Sequence, residues 1–430
     1  MVLKMRKMKA SGIEWIGEIP EGWETINPKA LFIQRKDRAS KGERQLTSSQ
    51  QYGILYQDEY MELTGSKVVT VEKDFNILKH VEAGDFVISM RSFQGGLEYS
   101  TKSGAISSAY VMLVPNLELV YPRFYRWLLK SSVYIDALQR TTNMVRDGQA
   151  MRYSNFAQVR LFTLPLDEQK SRADFLDLEC SSIDKILFKT RSSIEEYKKL
   201  KQAVITQAVT KGVRGEREMK DSGVEWIGAI PKDWEIKRLK SFCTIVDCKN
   251  RTPDVFPDGK YTVVRTTCIK DCSFSYEGSY QTDTTNFKAW TLKGQPHKGD
   301  IFFTREAPVG EACLVPNADN LCMGQRVMFF RPEDNSDARY IMYSIYGPLV
   351  REYIASKNSG STVGHLKLGQ VACIPIFYCP PLEQKEIADY LDAKCAEIDG
   401  LIAKKEQLVK ELESYKKSLI YEVVTGKKKV

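Results

Sequence analysis

Long hydrophobic runs are missing from this sequence of 430 residues. No stretch reaches the ~18 consecutive apolar residues that a membrane-spanning helix needs, so we expect no membrane span. The N-terminal residues 1–9 are basic and lack the apolar core of a secretory signal. The sequence therefore predicts a cytoplasmic protein.

Cysteines are too dispersed to form a disulfide framework. The ten cysteines are scattered over a long chain, which favours reduced thiols. Four of these cysteines, which are fairly close in sequence, could alternatively bind zinc: Cys243, Cys248, Cys268 and Cys272. Their spacings fall inside apparent strands, so buried core thiols are the preferred interpretation. The three histidines, His80, His297 and His365, are too far apart in sequence to suggest a site.

Motifs of catalysis are absent from the sequence as well. It has no GxxxxGK[ST] phosphate loop, no glycine-rich cofactor loop and no Asn/Asp-Pro-Pro-aromatic methyltransferase motif. The net charge of +8, from 63 Lys and Arg against 55 Asp and Glu, permits binding to a polyanion without proving it. We expect a non-catalytic chain that holds no cofactor or metal.

Two segments of the chain occur twice. Residues 11–24 (SGIEWIGEIPEGWE) and 222–235 (SGVEWIGAIPKDWE) are identical at ten of fourteen positions, 211 residues apart. Residues 168–177 (EQKSRADFLD) and 383–392 (EQKEIADYLD) are identical at seven of ten, 215 residues apart. Small repeats have periods of about 20–50 residues, so a whole domain with its connector is duplicated. Each half is a variable body inside a nearly constant frame.

The two bodies show the same order of predicted elements. Buried strands are predicted over residues 85–90 and 109–115 in the first body, followed by a helix over 123–140. The second body repeats this order. Its predicted elements are strands at 300–305 and 326–331 and a helix at 338–357. A short strand closes each body, within 158–164 and 372–378. We therefore predict two mixed α and β domains.

Long helices follow the two bodies. More than forty residues without proline begin after Leu166 and again after Leu382, with apolar residues at alternating spacings of three and four. This spacing is typical of a coiled-coil seam, and an amphipathic surface helix is the alternative. We expect the second helix to return antiparallel to the first, which gives an approximate two-fold axis. Gly212, Gly215 and Gly426 are the predicted helix ends.

These features together resemble the DNA specificity subunits of Type I restriction–modification systems. The residues that carry the resemblance are IPEGWE at 19–24, IPKDWE at 230–235, GDIFFTREAPVGEACLV at 299–315, LPLDEQKSRADFLD at 164–177 and PPLEQKEIADYLD at 380–392. The terminal AVTKG and VVTGK sequences add to it. The resemblance spans essentially the whole chain. The first body departs from the family pattern in two places. It has GDFVISMRSFQGG where the second body has GDIFFTREAPVGEACLV, and LPLDEQ where the second has PPLEQ with its double proline.

The resemblance implies an α+β fold class. Two tandem mixed α/β target-recognition domains would be separated by two long helices that form an antiparallel coiled coil with a pseudo-two-fold axis. The implied boundaries are a first target-recognition domain at 1–165, a central helical spacer at 166–215, a second target-recognition domain at 216–380 and a C-terminal helical spacer at 381–430.

The resemblance also implies a function and partners. Each target-recognition domain would read one half of an interrupted, asymmetric site in double-stranded DNA. Two modification subunits, which methylate adenine N6 with S-adenosylmethionine, would bind the helical regions, and restriction subunits that use ATP to translocate DNA would join them. We expect S-adenosylmethionine, ATP and Mg²⁺ on those partners and none in this chain.

Polar loops between the strands are where we expect DNA contacts. Arg and Lys suit guanine, Asn and Gln suit adenine, and Ser and Thr suit either base. The alternative for each loop is a solvated turn, and Arg91 or Arg305 could instead anchor a core carboxylate. The candidate contacts are Arg91, Gln94, Asn143, Arg146, Gln149, Arg152, Asn250, Arg251, Thr252, Arg305, Lys357, Asn358, Ser361 and His365.

Two other interpretations of the function, a nuclease and a protein–protein scaffold, remain open at this point. Glu168 and Glu383 each stand two residues before a lysine, as in half of a nuclease pattern, but lack the further carboxylates that Mg²⁺ needs. The first turn of a helix equally suits a glutamate. The repeated tryptophans are expected to pack rather than stack on bases. A protein–protein scaffold, with two binding modules on a coiled-coil rod, is the alternative function.

Overall fold

The computed structural model describes residues 7–71, 75–89, 92–141, 151–358 and 364–430, without the side chain of Phe93. The chain divides into two compact units. The first unit contains residues 1–190 and 407–430, and the second contains residues 191–406. Each unit therefore combines one body with parts of both long helices.

The first unit contains short strands and helices that lead into one long helix. Its strands are β1 (Met8–Ala10), β2 (Glu18–Pro20), β3 (Glu24–Ile26), β4 (Phe32–Arg35), β5 (Leu46–Ser49), β6 (Gly53–Tyr56), β7 (Lys79–Val81), β8 (Phe86–Ile88), β9 (Glu98–Tyr99), β10 (Gly104–Ile106), β11 (Val111–Pro115) and β12 (Leu161–Thr163). Its helices are α1 (Pro28–Leu31), α2 (Gln57–Thr64), α3 (Ser92–Gly95), α4 (Pro122–Leu128), α5 (Ser132–Arg140) and α6 (Tyr153–Gln158). The long helix α7 (Leu166–Lys211) begins in this unit.

The second unit repeats this plan. Its strands are β13 (Met219–Asp221), β14 (Ala229–Pro231), β15 (Glu235–Arg238), β16 (Cys243–Val246), β17 (Tyr261–Val264), β18 (Ile269–Lys270), β19 (Ser273–Phe274), β20 (Tyr280–Thr282), β21 (Ile301–Thr304), β22 (Ala312–Leu314), β23 (Leu321–Met323), β24 (Val327–Pro332) and β25 (Pro375–Tyr378). Its helices are α8 (Thr284–Trp290), α9 (Ala338–Ile345), α10 (Pro348–Asn358) and α11 (Leu368–Ala372). The second long helix is α12 (Pro381–Val424), which ends in the first unit.

The central sheets of the two bodies have the same strand order. In the first body the order is β4-β11-β8-β9, and in the second it is β16-β24-β21-β22, with all neighbours antiparallel. The closing strand pairs with the frame in both units, as β12 with β3 and β25 with β15. The mixed domains predicted from the sequence are therefore confirmed as two versions of one architecture.

The helix predicted after the sheet is broken in both bodies. Over residues 123–140 the structure has α4 and α5, and the Ser131 hydroxyl donates to the carbonyl of Leu128 at the break (2.7 Å). Over residues 338–357 it has α9 and α10, and α10 begins at Pro348. Proline has no N–H to continue the preceding helix, so a new helix starts there. The prediction of one continuous helix was wrong in each body.

The two long helices are confirmed, with 46 residues in α7 and 44 in α12. Within the first unit, Asp184 of α7 pairs with Lys416 of α12 at 2.6 Å. Within the second unit, Lys201 of α7 pairs with Asp399 of α12 at 2.7 Å. Each unit thus contains an antiparallel helix pair. Seam positions buried in these pairs include Leu176, Cys180, Ile183, Leu187, Leu391, Cys395, Ile398, Leu419 and Val423.

The ends of the helices also agree with the sequence. Gly212 and Gly426 adopt left-handed backbone angles (φ 74° and 77°) just beyond α7 and α12, as glycine at a helix C-terminus commonly does. No described helix is long and apolar enough to cross a bilayer. The approximate two-fold axis and the four-part domain boundaries stay predictions.

Candidate nucleic-acid interface

Two of the polar loops selected from the sequence meet in the second body. Arg305 lies directly after β21, and its guanidinium donates to the side-chain oxygen of Asn250 at 2.9 Å. The same guanidinium pairs with Asp247 at 3.2 Å, and only 11% of the Arg305 side chain is exposed. Arg305 therefore anchors a carboxylate and holds the amide of Asn250.

The third loop joins the same cluster. Glu306 and His365 form a backbone bridge, and the His365 ring hydrogen-bonds to the Glu306 carboxylate. The backbone N–H of His365 donates to the side-chain oxygen of Asn358 at 3.1 Å. Asn250, Arg305, Asn358 and His365 thus come from three segments that are distant in sequence and lie in one connected cluster.

Aromatic rings support the remaining cations of these loops. The guanidinium of Arg251 lies 5.2 Å from the centre of the Trp290 ring, and the ammonium of Lys249 lies 4.7 Å from it. Lys357 lies 5.4 Å from the ring of Tyr353. Such contacts hold a cation at a surface while leaving it able to bind an anion.

Two residues of this cluster were missed by the sequence interpretation. Gln325 accepts from the Thr252 hydroxyl (3.5 Å) and donates to the carbonyl of Asn250 (3.3 Å). Arg326 pairs with Glu306 at 3.0 Å. Arg326 had been assigned to a strand over 326–331, but β24 begins at Val327, and Arg326 has a φ of 77° in the preceding turn. Glycine at 324 was the available signal for that turn.

Fewer candidate contacts of the first body can be placed. Arg91, Asn143, Arg146 and Gln149 lie outside the described residues, as does Ser361 of the second body. Gln94 is exposed on α3, and Arg152 is exposed just before α6.

The turn that carries Gln94 is braced from within the body. The Ser92 hydroxyl accepts from the N–H of Ser89 at 2.8 Å. Buried Glu98 pairs with Lys130 at 2.7 Å, and although burial raises the pKa of Glu98, the ammonium group partly offsets this. The Ser92 bond thus joins the start of α3 to the end of β8, the Glu98–Lys130 pair lies just beyond α3, and Gln94 is at the surface.

The glutamates weighed as nuclease residues are structural. Glu383 is fully buried and pairs with Arg217 at 2.6 Å, and the Arg217 guanidinium lies 5.2 Å from the centre of the Trp234 ring. Glu168 accepts from Trp23 (3.2 Å) and Arg172 (2.7 Å). A carboxylate already paired with an arginine is a poor ligand for Mg²⁺, so these contacts argue against the nuclease alternative.

The glutamine beside each glutamate explains the repeated motif. Gln169 accepts from the N–H of Tyr121 and donates to the carbonyl of Leu164 at 2.9 Å. Gln384 accepts from the N–H of Asp337 and donates to the carbonyl of Cys379, also at 2.9 Å. Gln169 therefore joins the start of α7 to the residue before α4, and Gln384 joins the start of α12 to the residue before α9.

The four cysteines weighed as zinc ligands are free thiols. Cys243, Cys248 and Cys268 are buried and Cys272 is half-buried. Burial raises the pKa values of these thiols, which disfavours the thiolate that zinc requires. In the described part of the chain no cluster of three or more His, Cys, Asp or Glu residues could hold a metal ion.

The tryptophans of the frames differ between the two units. Trp23 and Trp234 are completely buried. Trp15 packs edge-on against Tyr134, with ring centres 5.7 Å apart, whereas 63% of Trp226 is exposed. The packing prediction is confirmed for the buried pair and is wrong for Trp226.

The fold and the loop cluster define a class of protein, in which two variable recognition domains of the same architecture are joined to paired long helices. Residues 231–411 match the family described as the Type I restriction modification DNA specificity domain. The specificity subunit of the type I restriction enzyme MjaVIII from Methanocaldococcus jannaschii is 24% identical over 427 residues, which cover 96% of this chain and 94% of that protein. A second protein of that organism, provisionally assigned as the MjaX specificity subunit, is 23% identical over 432 residues and 96% of both chains.

A solved structure shares the fold over nearly the full length. It is a chain from a type I restriction–modification system studied for its complex assembly and conformational transition. It covers 95% of this chain, and 99% of its own length is matched, with a TM-score of 0.68 and 15% identity. Over nearly its whole length the chain described here is similar to the DNA specificity subunits of Type I restriction–modification systems, and residues 231–411 match their specificity domain.

Proposed function

We propose that this chain selects a bipartite, asymmetric site in duplex DNA and brings partner subunits to it. The observation that carries the proposal is the repetition of one four-stranded sheet order in two bodies whose polar loops differ. One scaffold with two different loop sets suits two unlike half-sites. The chain itself would perform no catalysis and would act in the cytoplasm.

The chemistry belongs to the partners in this proposal. Two modification subunits would methylate adenine N6 with S-adenosylmethionine, and restriction subunits would use ATP and Mg²⁺ to translocate and cleave DNA. The paired helices α7 and α12 offer these partners a long surface. The proposal is supported by the similarity of the chain to Type I specificity subunits.

The loop cluster of the second body would contact one half-site. Asn250, Arg251, Thr252, Lys357, Asn358, Ser361 and His365 are the proposed contacts there. Arg305 is paired with Asp247 and Asn250, so we propose that it acts by orienting Asn250. In the first body the proposed contacts are Arg91, Gln94, Asn143, Arg146, Gln149 and Arg152.

A methylation map at base resolution tests the function. The methylation of DNA is compared between two kinds of cells. One expresses this chain together with the partner methyltransferase, and the other expresses the methyltransferase without the chain. A single interrupted motif with N6-methyladenine, present only with the chain, is the expected result. It would reveal both half-sites at once.

An unchanged map would contradict the proposal, provided that the methyltransferase is expressed and active. Two explanations would then remain, a damaged or orphan specificity subunit and a protein–protein scaffold. Duplex binding by the assembled complex separates them. A DNA-binding complex must lose affinity as salt rises, because phosphate neutralisation releases counterions. Absence of salt-dependent binding would favour a protein–protein scaffold.

A further inference from the structure

Arg326 has a backbone conformation that is unusual for a residue with a side chain. It lies in the turn between β23 and β24 with a φ of 77°. Left-handed angles are uncommon outside glycine, and where they occur at a surface they often accompany a functional site. This turn lies in the loop cluster, because its neighbour Gln325 contacts Thr252 and Asn250.

The guanidinium of Arg326 is paired through one nitrogen, and about half of the side chain is exposed. Its Nε atom pairs with the Glu306 carboxylate at 3.0 Å, and 47% of the side chain is exposed. Glu306 is itself fixed by the ring of His365. The two terminal nitrogens of Arg326 have no hydrogen-bond or ion-pair partner among the residues that the structure describes.

This arrangement matches the chemistry of guanine recognition. The terminal nitrogens of an arginine can donate two parallel hydrogen bonds to O6 and N7 of guanine in the major groove. A carboxylate on Nε fixes the plane of the guanidinium, so that the open edge keeps one direction. An arginine that only contacts phosphate would need no such orientation.

We propose that Arg326 reads a guanine in the half-site of the second body, and that Glu306 is its positioning residue. This inference rests on the proposed function and names a residue of the same site. It assigns a base-specific role to a position that sequence patterns place in a strand.

The test uses the assembled complex of this chain with its methyltransferase. The variants are Arg326→Lys, which keeps the charge without the two-nitrogen edge, and Arg326→Gly, which removes the side chain and relieves the left-handed backbone. For both, we expect methylation to relax at one guanine position, with discrimination there falling by about 5- to 150-fold, the equivalent of ~1–3 kcal/mol. The half-site read by the first body should be unchanged.

Asp271→Gly is the matched control for the backbone. Asp271 also has a left-handed φ, of 47°, and lies in the turn between β18 and β19. This variant should leave the methylated motif unchanged. Glu306→Gln tests the positioning residue, and we expect partial relaxation at the same guanine with no change in the salt dependence of binding.

Two results would overturn the inference while leaving the proposed function intact. One is a wild-type motif that all Arg326 variants retain with unchanged discrimination. The other is a uniform loss of affinity across all sequences with a smaller salt dependence, which is the behaviour of a phosphate contact. Absence of any interrupted motif with the wild-type chain would instead contradict the proposed function.

Discussion

Lys201 of α7 pairs with Asp399 of α12 at 2.7 Å in the second unit. The corresponding residues 215 positions away, Lys416 and Asp184, pair at 2.6 Å in the first unit. The lysine is on α7 in one pair and on α12 in the other. The two helices therefore meet in the same antiparallel register in both units, with their roles exchanged.

Charge reversal in one of these pairs should lower stability modestly. Lys416→Asp places two carboxylates side by side in the first unit, and partly exposed pairs of this kind contribute about 0.2–1 kcal/mol. Asp184→Lys combined with Lys416→Asp should restore most of the loss. Urea unfolding of the wild type, both single variants and the double variant measures the coupling. A coupling of zero would show that the helix register does not depend on this pair.

Loss of Arg217, the partner of a buried carboxylate in the second unit, should be far more costly. Arg217→Met leaves the buried Glu383 carboxylate with only the more distant Arg214, 3.7 Å away, and we expect the free energy of unfolding to fall by about 3–5 kcal/mol. Lys232→Met is the control, because Lys232 is 67% exposed and pairs at 2.6 Å with the exposed Glu218. The control should cost less than about 1 kcal/mol.

The double variant Arg217→Met with Glu383→Leu distinguishes charge from packing. An apolar pair of similar volume removes the buried charges together, so the double variant should be more stable than Arg217→Met alone. If the double variant is equally unstable, the loss comes from the packing of Arg217 on Trp234 instead. Urea unfolding monitored by tryptophan fluorescence gives both values.

The stability of the first unit should depend on pH through His80. Burial lowers the pKa of His80, but hydrogen bonds with Glu43 (2.8 Å) and Glu82 (3.0 Å) more than offset this, and the net pKa is raised above 6.5. The protonated ring therefore stabilises the fold. This contribution is complete below about pH 6.5 and is lost as pH rises through the raised pKa.

Comparison with His80→Gln isolates this effect. The difference in unfolding free energy between wild type and variant should shrink between about pH 6 and pH 9. His297→Gln, in the second unit, shows any general effect of losing a histidine. A difference that stays constant over this range would show that the charge on His80 does not contribute.

Lengthening the long helices should change the spacing of the proposed half-sites. One heptad inserted after Thr190 and another after Glu406 adds about 10 Å to both helices where they pass between the units. The methylation map should show the same two half-sites with a gap longer by about three base pairs. A constant gap would contradict the prediction that the helices set the distance.

Most of the secondary structure could be predicted from the sequence because it depends on local patterns. The heptad spacing of apolar residues specifies α7 and α12, and short apolar runs specify strands such as β8 and β21. The repeated SGxEWIG and EQK segments identified equivalent positions. The breaks at Ser131 and Pro348 were missed because the helical apolar pattern continues across them.

The arginine partners of the frame could not be predicted. Glu168 and Glu383 are equivalent in sequence, but Arg172, one turn along α7, neutralises the first. Ile387 occupies the matching place in α12, and Arg217, beyond the end of α7, supplies the cation for Glu383. The arginine that pairs with an equivalent glutamate can therefore come from any chain position that the fold brings near it.

The sequence by itself determined the duplication, the long helices and the resemblance to specificity subunits, since each is carried by residues close together in the chain. Only the tertiary structure decided that Asn250, Arg305, Arg326 and His365 belong to one cluster. Their contacts depend on how β16, β21 and β24 pair, on the turns that follow β16 and β21, and on the turn that precedes β24. A strand shifted by one residue would point its side chains to the other face, so composition and spacing could not reveal that Arg326 lies in the turn beside Glu306.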